Sequence, residues 1–368
     1  MLNKAFEGML NFHVYCMPHL APKFLLLQDE KYIKLSREDN SQSFYLFKLI
    51  NLVISMVRTN TCKINQMDGR LLEWLRHQAI GEQIGAIHSI FDKVVNLITN
   101  DGNMLFSLAK NEVIQSPGMM KTLENDLFSE MCSALKSTKE IYLVDYNLLK
   151  ISDWQWDFSK AVLWNRGIKP CCQAKQEPTC YHLSLLNHFI LHNGATGGIF
   201  PAWKSFTYPD WEVSTATRKD FYFSSFLEGL NQLNREIKGN KLDTFLLKFA
   251  GLGIGLTPAG DDFLTGLLAT WKYFEAPLYK RVECCSAEWL QKLKGRTTTV
   301  SYFMLKQCLE GQLNEALLDV LDNMDSNPIP HLQRVLKIGS TSGTDMLTGV
   351  SVAYQQLIDH KEEIHNGI

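Results

Sequence analysis

The chain has 368 residues, 45% hydrophobic and 21% charged, and its 37 Lys+Arg against 39 Asp+Glu leave a formal net charge of −2. That is enough apolar chain for two folded cores, which excludes a disordered protein. No run of Lys and Arg points to a nucleic-acid partner, and no apolar run reaches the roughly 20 residues of a membrane-spanning helix, so neither nucleic acid nor membrane is expected.

Residues 1–8 lack a charged segment leading into an apolar core and a small-residue cleavage site. The nine cysteines include the adjacent pairs Cys171-Cys172 and Cys284-Cys285, which suit no simple disulfide framework. Reduced cysteines and a cytoplasmic location are therefore expected. The first third reads as β-rich. Segments 12–16, 24–27 and 32–35 are short and apolar or aromatic, and Asp29-Glu30 joins the last two as a hairpin. Residues 71–78 suggest a short helix. Residues 86–99 predict a strand that turns through Asn100-Asp101-Gly102-Asn103 and returns over 104–108, because Asp-Gly supplies the positive φ of a tight turn. A longer helix over 119–135 is expected after Pro117-Gly118, and 141–144 as a strand closing the sheet.

The stretch 151–180, with Trp154, Trp156, Trp164 and Pro170, reads as an irregular linker. Beyond it the apolar period becomes helical, with helices expected near 182–193, 217–238, 241–250, 258–274, 286–294, 298–310, 313–323 and 343–358. The class is α+β, with a β-rich domain over 1–150, the linker, and a mainly helical domain over 181–368.

One segment of the helical half carries chemical information: Gly251-Leu252-Gly253-Ile254-Gly255-Leu256-Thr257-Pro258-Ala259-Gly260-Asp261-Asp262-Phe263-Leu264-Thr265-Gly266. Thr257-Pro258 predicts a helix start, with the hydroxyl as cap and proline in the first helical position. Gly253, Gly255 and Gly260 allow a backbone close to a ligand, and a helix N-terminus behind them offers free N–H donors to an anion. Neither the Gly-Lys-Ser/Thr of a nucleotide phosphate loop nor the setting of a dinucleotide fingerprint is present.

The pattern returns. Gly343-Thr344-Asp345-Met346-Leu347-Thr348-Gly349 matches residues 260–266 as Gly-x-Asp-apolar-Leu-Thr-Gly, with Ser340 and Thr257 at equivalent cap positions. In both copies the second glycine follows the aspartate by one helical turn on the same face, so helices crossing at Gly266 and Gly349 would bring Asp262 and Asp345 together. Two carboxylates share a site only with a proton, a metal or a substrate donor between them. An acidic residue in a first helical turn also complements the helix dipole, which is the plain alternative for all three aspartates and above all for Asp261 taken alone.

The Gly-Leu-Gly-x-Gly-Leu-Thr-Pro-x-Gly-Asp-Asp string, Arg296-Thr297-Thr298-x-x-Ser301 and Thr341-Ser342-Gly343-x-Asp345 resemble the AllH family. Phe91-Asp92-Lys93-Val94-Val95-Asn96-Leu97 and Ser116-Pro117-Gly118 extend the likeness across most of the chain. The resemblance implies one subunit of a multi-subunit oxamate carbamoyltransferase of allantoin and purine catabolism, which converts oxalurate and phosphate to oxamate and carbamoyl phosphate. Such a small anionic substrate, with a carbamoyl or amide end, needs donors for its carboxylate and carbonyls and acceptors for its N–H groups. Glycine-loop amides fit the first need and Asp262 with Asp345 the second, Asp261 being the third carboxylate of the catalytic set. Ser342 and Gly343 at the second helix start, and Arg296 through its bidentate fork, complete the binding set. Thr297 and Ser301 join it on one helix face, where a cap and a buried hydroxyl are the plain alternative.

No cofactor is called for, with magnesium or manganese as an option. Two other functions compete: a non-catalytic assembly or ligand-binding subunit, and a metal-dependent hydrolase with Asp261, Asp262 and Asp345 as oxygen ligands. A hetero-oligomer with other carbamoyltransferase subunits is expected on the first reading. His188 and His192 have zinc-ligand spacing but lack the following glutamate and read as helix surface. Cys171, Cys172, Cys180 and His182 read as core or linker, and Gly194-Ala195-Thr196-Gly197-Gly198 as a helix stop or a second wall of the site.

Overall fold

Alternating side chains explain most of the first half. The computed structural model of the protein describes residues 60–135, 140–169, 177–238 and 242–365. The strands expected at 12–16, 24–27 and 32–35, and Cys171 and Cys172, lie outside the described residues. In chain order come β1 (Asn60–Asp68), α1 (Gly69–Arg76), β2 (Gln83–Ile90), β3 (Val94–Thr99), β4 (Leu105–Lys110), β5 (Met119–Thr122), α2 (Asn125–Ala134), β6 (Glu140–Asp145), β7 (Leu148–Ile151), β8 (Trp154–Asp157) and β9 (Val162–Trp164).

The strands form one sheet in the order β5-β4-β3-β2-β6-β7-β8-β1-β9, and β1 pairs with β5 as well, so the sheet closes into a barrel. Closure pairs the β5 edge that an open sheet would expose, and the short β9 is held by β1 alone. Leu97, Phe106, Leu108, Met120, Ile141, Leu149 and Trp156 are buried in its core together with Leu71 and Leu75 of α1 and Phe128 and Met131 of α2. The Asp-Gly hairpin forms as expected between β3 and β4, with Gly102 at φ +66°.

Four sequence expectations are corrected here. Residues 86–99 are two antiparallel strands, because Phe91, Asp92 and Lys93 make a turn that no glycine or proline announces. Residues 119–135 are β5 followed by α2, since Met119-Met120-Lys121-Thr122 is buried on both faces and so lacks the alternation that marks a strand. The strand near 141–144, β6, lies inside the sheet between β2 and β7, and β1 with β5 makes the closure. Within the expected linker, Trp154 and Trp156 belong to β8 and Trp164 to β9.

The second half is helical: α3 (Cys180–Asn193), α4 (Phe200–Thr207), α5 (Thr215–Arg218), α6 (Phe221–Lys238), α7 (Leu242–Leu246), α8 (Ala259–Tyr273), α9 (Pro277–Cys284), α10 (Ser286–Leu293), α11 (Thr299–Leu309), α12 (Glu315–Asn323), α13 (Pro328–Val335) and α14 (Ser342–His365). The unanticipated α4, α9 and α13 each carry proline in the first turn. Proline there lacks only an N–H that no helical carbonyl would have accepted, so it opens a helix that a proline-as-breaker reading misses. α8 is buried on every side from Ala259 to Trp271, as the central helix of a layered core must be. α14 crosses it at paired glycines: a Cβ on Gly266 would stand 1.9 Å from the Met346 carbonyl oxygen, and one on Gly349 2.1 Å from that of Phe263.

Backbone bonds join the helices to the barrel side. Ile168 donates to the Gly311 carbonyl at 2.8 Å and Glu315 to that of Gln115 at 2.9 Å. Lys306 Nζ donates to the Asn103 carbonyl in the β3–β4 turn at 3.1 Å. No helix among the described residues is long and apolar enough to cross a membrane.

Candidate functional site

The two Gly-x-Asp helix starts make similar local contacts. Gly260 donates its N–H to the Leu252 carbonyl at 2.8 Å, and Gly343 donates to that of Ile338 at 3.0 Å. A Cβ on Gly260 would lie 1.9 Å from the Phe249 oxygen, and on Gly343 2.0 Å from the Val335 oxygen. Both glycines thus let chain approach chain. The amides of Asp261 and Asp262 bond to the Pro258 carbonyl and that of Asp345 to Thr341. The N–H groups of Gly260, Asp261, Asp262, Gly343 and Asp345 are thus engaged within the fold.

Capping also departs from expectation. α8 starts at Ala259 with Pro258 as its cap residue and no side-chain cap bond. The Thr257 hydroxyl instead meets that of Ser342 at 3.1 Å, joining one helix start to the other.

Repetition of sequence does not give the three aspartates one environment. Asp261 accepts the Gly251 N–H at 2.9 Å and the Thr297 hydroxyl, a latch between the glycine loop and the segment before α11. Burial pushes its carboxyl upward while these bonds oppose it. Asp345 Oδ1 accepts the Ile199 N–H at 2.8 Å, and Oδ2 has no partner. Burial pushes Asp345 from 3.8 up to about 7, against the Ile199 N–H and the Thr341 hydroxyl. The turn 194–198 is what covers it: Gly198 has φ +60°, and a Cβ there would be 2.3 Å from Asp345 Oδ1. Ala195 donates to Thr344 Oγ1 at 2.9 Å beside it.

Asp262 is fully buried, and neither of its carboxylate oxygens has a hydrogen-bond partner. Burial raises its pKa far above the ordinary carboxylate range and the nearby Asp345 charge adds to this, while the Ser342 and Thr257 hydroxyls partly offset it. Its surroundings therefore favour the neutral acid over the carboxylate. With Thr257, Thr265 and Ser342, Asp262 lines a cavity of about 700 Å³ bounded by α8, α11, α14 and the outer face of β3, β4 and β5.

Of the residues predicted from sequence, Asp262, Thr257 and Ser342 line this cavity; Asp261, Asp345, Gly253, Gly255, Gly260, Arg296, Thr297, Ser301 and Gly343 do not. Gly253 has φ +121°, and Gly255, at φ +106°, has open space where a Cβ would be. The neighbouring Ile254 is 82% exposed. Arg296 meets the loop through its backbone, its carbonyl oxygen lying 2.0 Å from where a Cβ on Gly251 would stand. Thr298, not Thr297, caps α11 by accepting the Ser301 N–H at 3.1 Å, and the buried Ser301 hydroxyl has no bonded partner. His188 and His192 lie exposed on α3 with ring centroids 4.3 Å apart. Among the described residues, no group of three or more His, Cys, Asp or Glu is placed to hold a metal ion.

Sequence reasoning missed the basic side of the cavity, where Lys93, Lys121, Arg334 and Lys337 stand. A lysine inside the apolar run 119–123 was the available signal.

The raised Asp345 pKa gives a pH prediction with a definite sign. Between the unfolded value near 4 and the folded value of about 7, the folded state holds more protons than the unfolded one, so this group's contribution to stability falls as pH rises through that window. Asp345→Asn, which keeps an oxygen acceptor for Ile199, should match wild type near pH 4 and gain on it progressively up to about pH 7, then run parallel. Melting temperatures at pH 4 to 8 test this, and a constant difference would rule it out.

The family model described as oxamate carbamoyltransferase subunit AllH matches residues 249–354, which hold both helix starts. The model of the AllH family N-terminal domain matches residues 62–163, the barrel. No solved structure matches the chain.

Proposed function

Since the chain belongs to the AllH family, whose model is described as an oxamate carbamoyltransferase subunit, we propose that it binds and helps turn over the substrates of that enzyme in allantoin and purine catabolism. The observation that carries this reading is Asp262, a buried carboxyl whose oxygens have no hydrogen-bond partner, in the wall of a cavity large enough for small substrates. Such a group is costly to bury unless a ligand completes it.

The chemistry follows from its protonation. A phosphate oxygen attacks the terminal carbamoyl carbon of oxalurate, forming the new C–O bond, and the C–N bond to the oxamate nitrogen breaks. That nitrogen needs a proton as it leaves, and neutral Asp262 gives it; the proton of hydrogen phosphate restores the acid. In the reverse direction the Asp262 carboxylate takes a proton from the oxamate amide. The Thr257 and Ser342 hydroxyls, at the positive ends of two helices, orient the carbamoyl oxygen where charge develops. Asp345 acts behind Asp262, its charge helping to keep the acid protonated.

Partner subunits of the carbamoyltransferase complete the enzyme on this reading, and the location is cytoplasmic. The metal-hydrolase alternative has the weaker support, because both Asp261 oxygens and Asp345 Oδ1 are bonded to Thr297, Gly251 and Ile199, and no group of three metal-ligating side chains is gathered among the described residues. The test is carbamoyl-phosphate formation from oxalurate and phosphate by the chain alone and with its partner subunits. No turnover in either preparation would remove the reading, and partners that turn over fully without this chain would leave it an assembly role.

A further inference from the structure

The barrel wall supplies the cavity with a lysine whose side chain has no partner. Along β3, β4 and β5 alternate residues turn opposite ways: Val95, Leu97, Phe106, Leu108 and Met120 enter the barrel core, while Asn96, Ser107 and Lys121 face the helices and line the cavity. Lys121 is only 8% exposed, and its side chain has no hydrogen bond or ion pair with any described residue. Burial pushes its ammonium below the ordinary lysine value; nearby Glu315 opposes this and Arg334 adds to it. Glu315 does not pair with it, being held by Arg334 and lying 3.8 Å from Arg166.

The charges lining the cavity sharpen the point. Lys93, Lys121, Arg334 and Lys337 face it against two acids, Glu112 and Asp262. Glu112 lies 3.5 Å from Lys93, and Arg334 is paired on α12 with Asp319 as well as Glu315. A largely covered lysine with no acid of its own, set in a basic wall, favours a bound anion.

We propose that Lys121 holds the anionic group of a small substrate in this cavity, a phosphate or a carboxylate, opposite the acid at Asp262. The barrel is then part of the binding site. The identity of the anion rests on the carbamoyl-transfer reading, whereas the presence of an anion site does not.

Titration calorimetry on the full chain, with inorganic phosphate in one series and oxamate in the other, tests the assignment. The wild-type chain should bind at least one of them. Lys121→Met should weaken that binding at least about tenfold, as loss of a buried charge partner does, while Lys121→Arg retains most of it. Weakening of phosphate alone identifies a phosphate site, weakening of oxamate alone a carboxylate site, and weakening of both a shared one. Melting curves confirm that the variant is folded, and Lys121→Gln replaces it if the Met form is not. A folded variant that binds both anions as wild type does, or a wild-type chain that binds neither, overturns the proposal. Lys121-dependent binding in a chain whose assembled enzyme makes no carbamoyl phosphate keeps the anion site and removes the carbamoyl-transfer reading. Unaltered binding and turnover in Lys121→Met do the reverse.

Discussion

Asp262→Asn should lower carbamoyl-phosphate formation by the assembled enzyme about 10²-fold or more, without lowering the melting temperature of the chain at pH 7. Asn preserves the shape and still offers an N–H, but it cannot release a proton to a departing nitrogen. The stability side has the opposite sign from the usual loss. An acid whose folded pKa is raised destabilises the fold increasingly as pH rises above its unfolded value near 4, and a neutral amide is free of that effect. Were Asp262 an ionised helix-dipole partner, the substitution would instead cost a few tenths to about 1 kcal/mol and leave turnover intact. Normal turnover with both Asp262→Asn and Asp345→Asn would move the chain to the non-catalytic assembly reading.

The second large effect is on the fold. Gly266→Leu should cost about 3 kcal/mol, the upper end of the penalty for overpacking, because the obstacle is the Met346 carbonyl and not the movable tip of a side chain. Gly349→Leu meets the Phe263 carbonyl and should behave alike. Even alanine at either position forces the two helices apart, and with them Asp262 and Ser342. Urea midpoints measure the loss. Unchanged midpoints in both Leu variants would exclude the close crossing.

The helix crossing was legible because Gly-x-Asp-apolar-Leu-Thr-Gly states it twice: the spacing places a small residue one turn from each aspartate, and close approach follows. The difference between the two copies was not legible. It depends on Ile199 and Gly198, far away in sequence, which cover Asp345 and leave Asp262 facing the cavity. The glycine loop was recognised as special, but its conformational freedom serves turns and chain-on-chain contacts such as Gly251 with Arg296. Local sequence cannot say whether a positive φ is used for a ligand or for the fold. Lys121 was hidden for a related reason. Strands covered on both faces show no alternation, so 119–122 reads as one helix with the residues that follow, and nothing marks its lysine as lining a site.

β5 is covered by the barrel core on one face and the cavity on the other, and both its edges are paired, with β4 in parallel and β1 antiparallel. Its amides can reach solvent only when the barrel itself opens, so hydrogen exchange there should report the global unfolding free energy and not a local fluctuation. The residues of loop 251–257, where Ile254 projects outward and Gly255 has free space, belong to the opposite end of that scale. A ligand held between Lys121 and Asp262 would therefore have one slow, unyielding wall, and whatever adjustment admits it must come from the helical side.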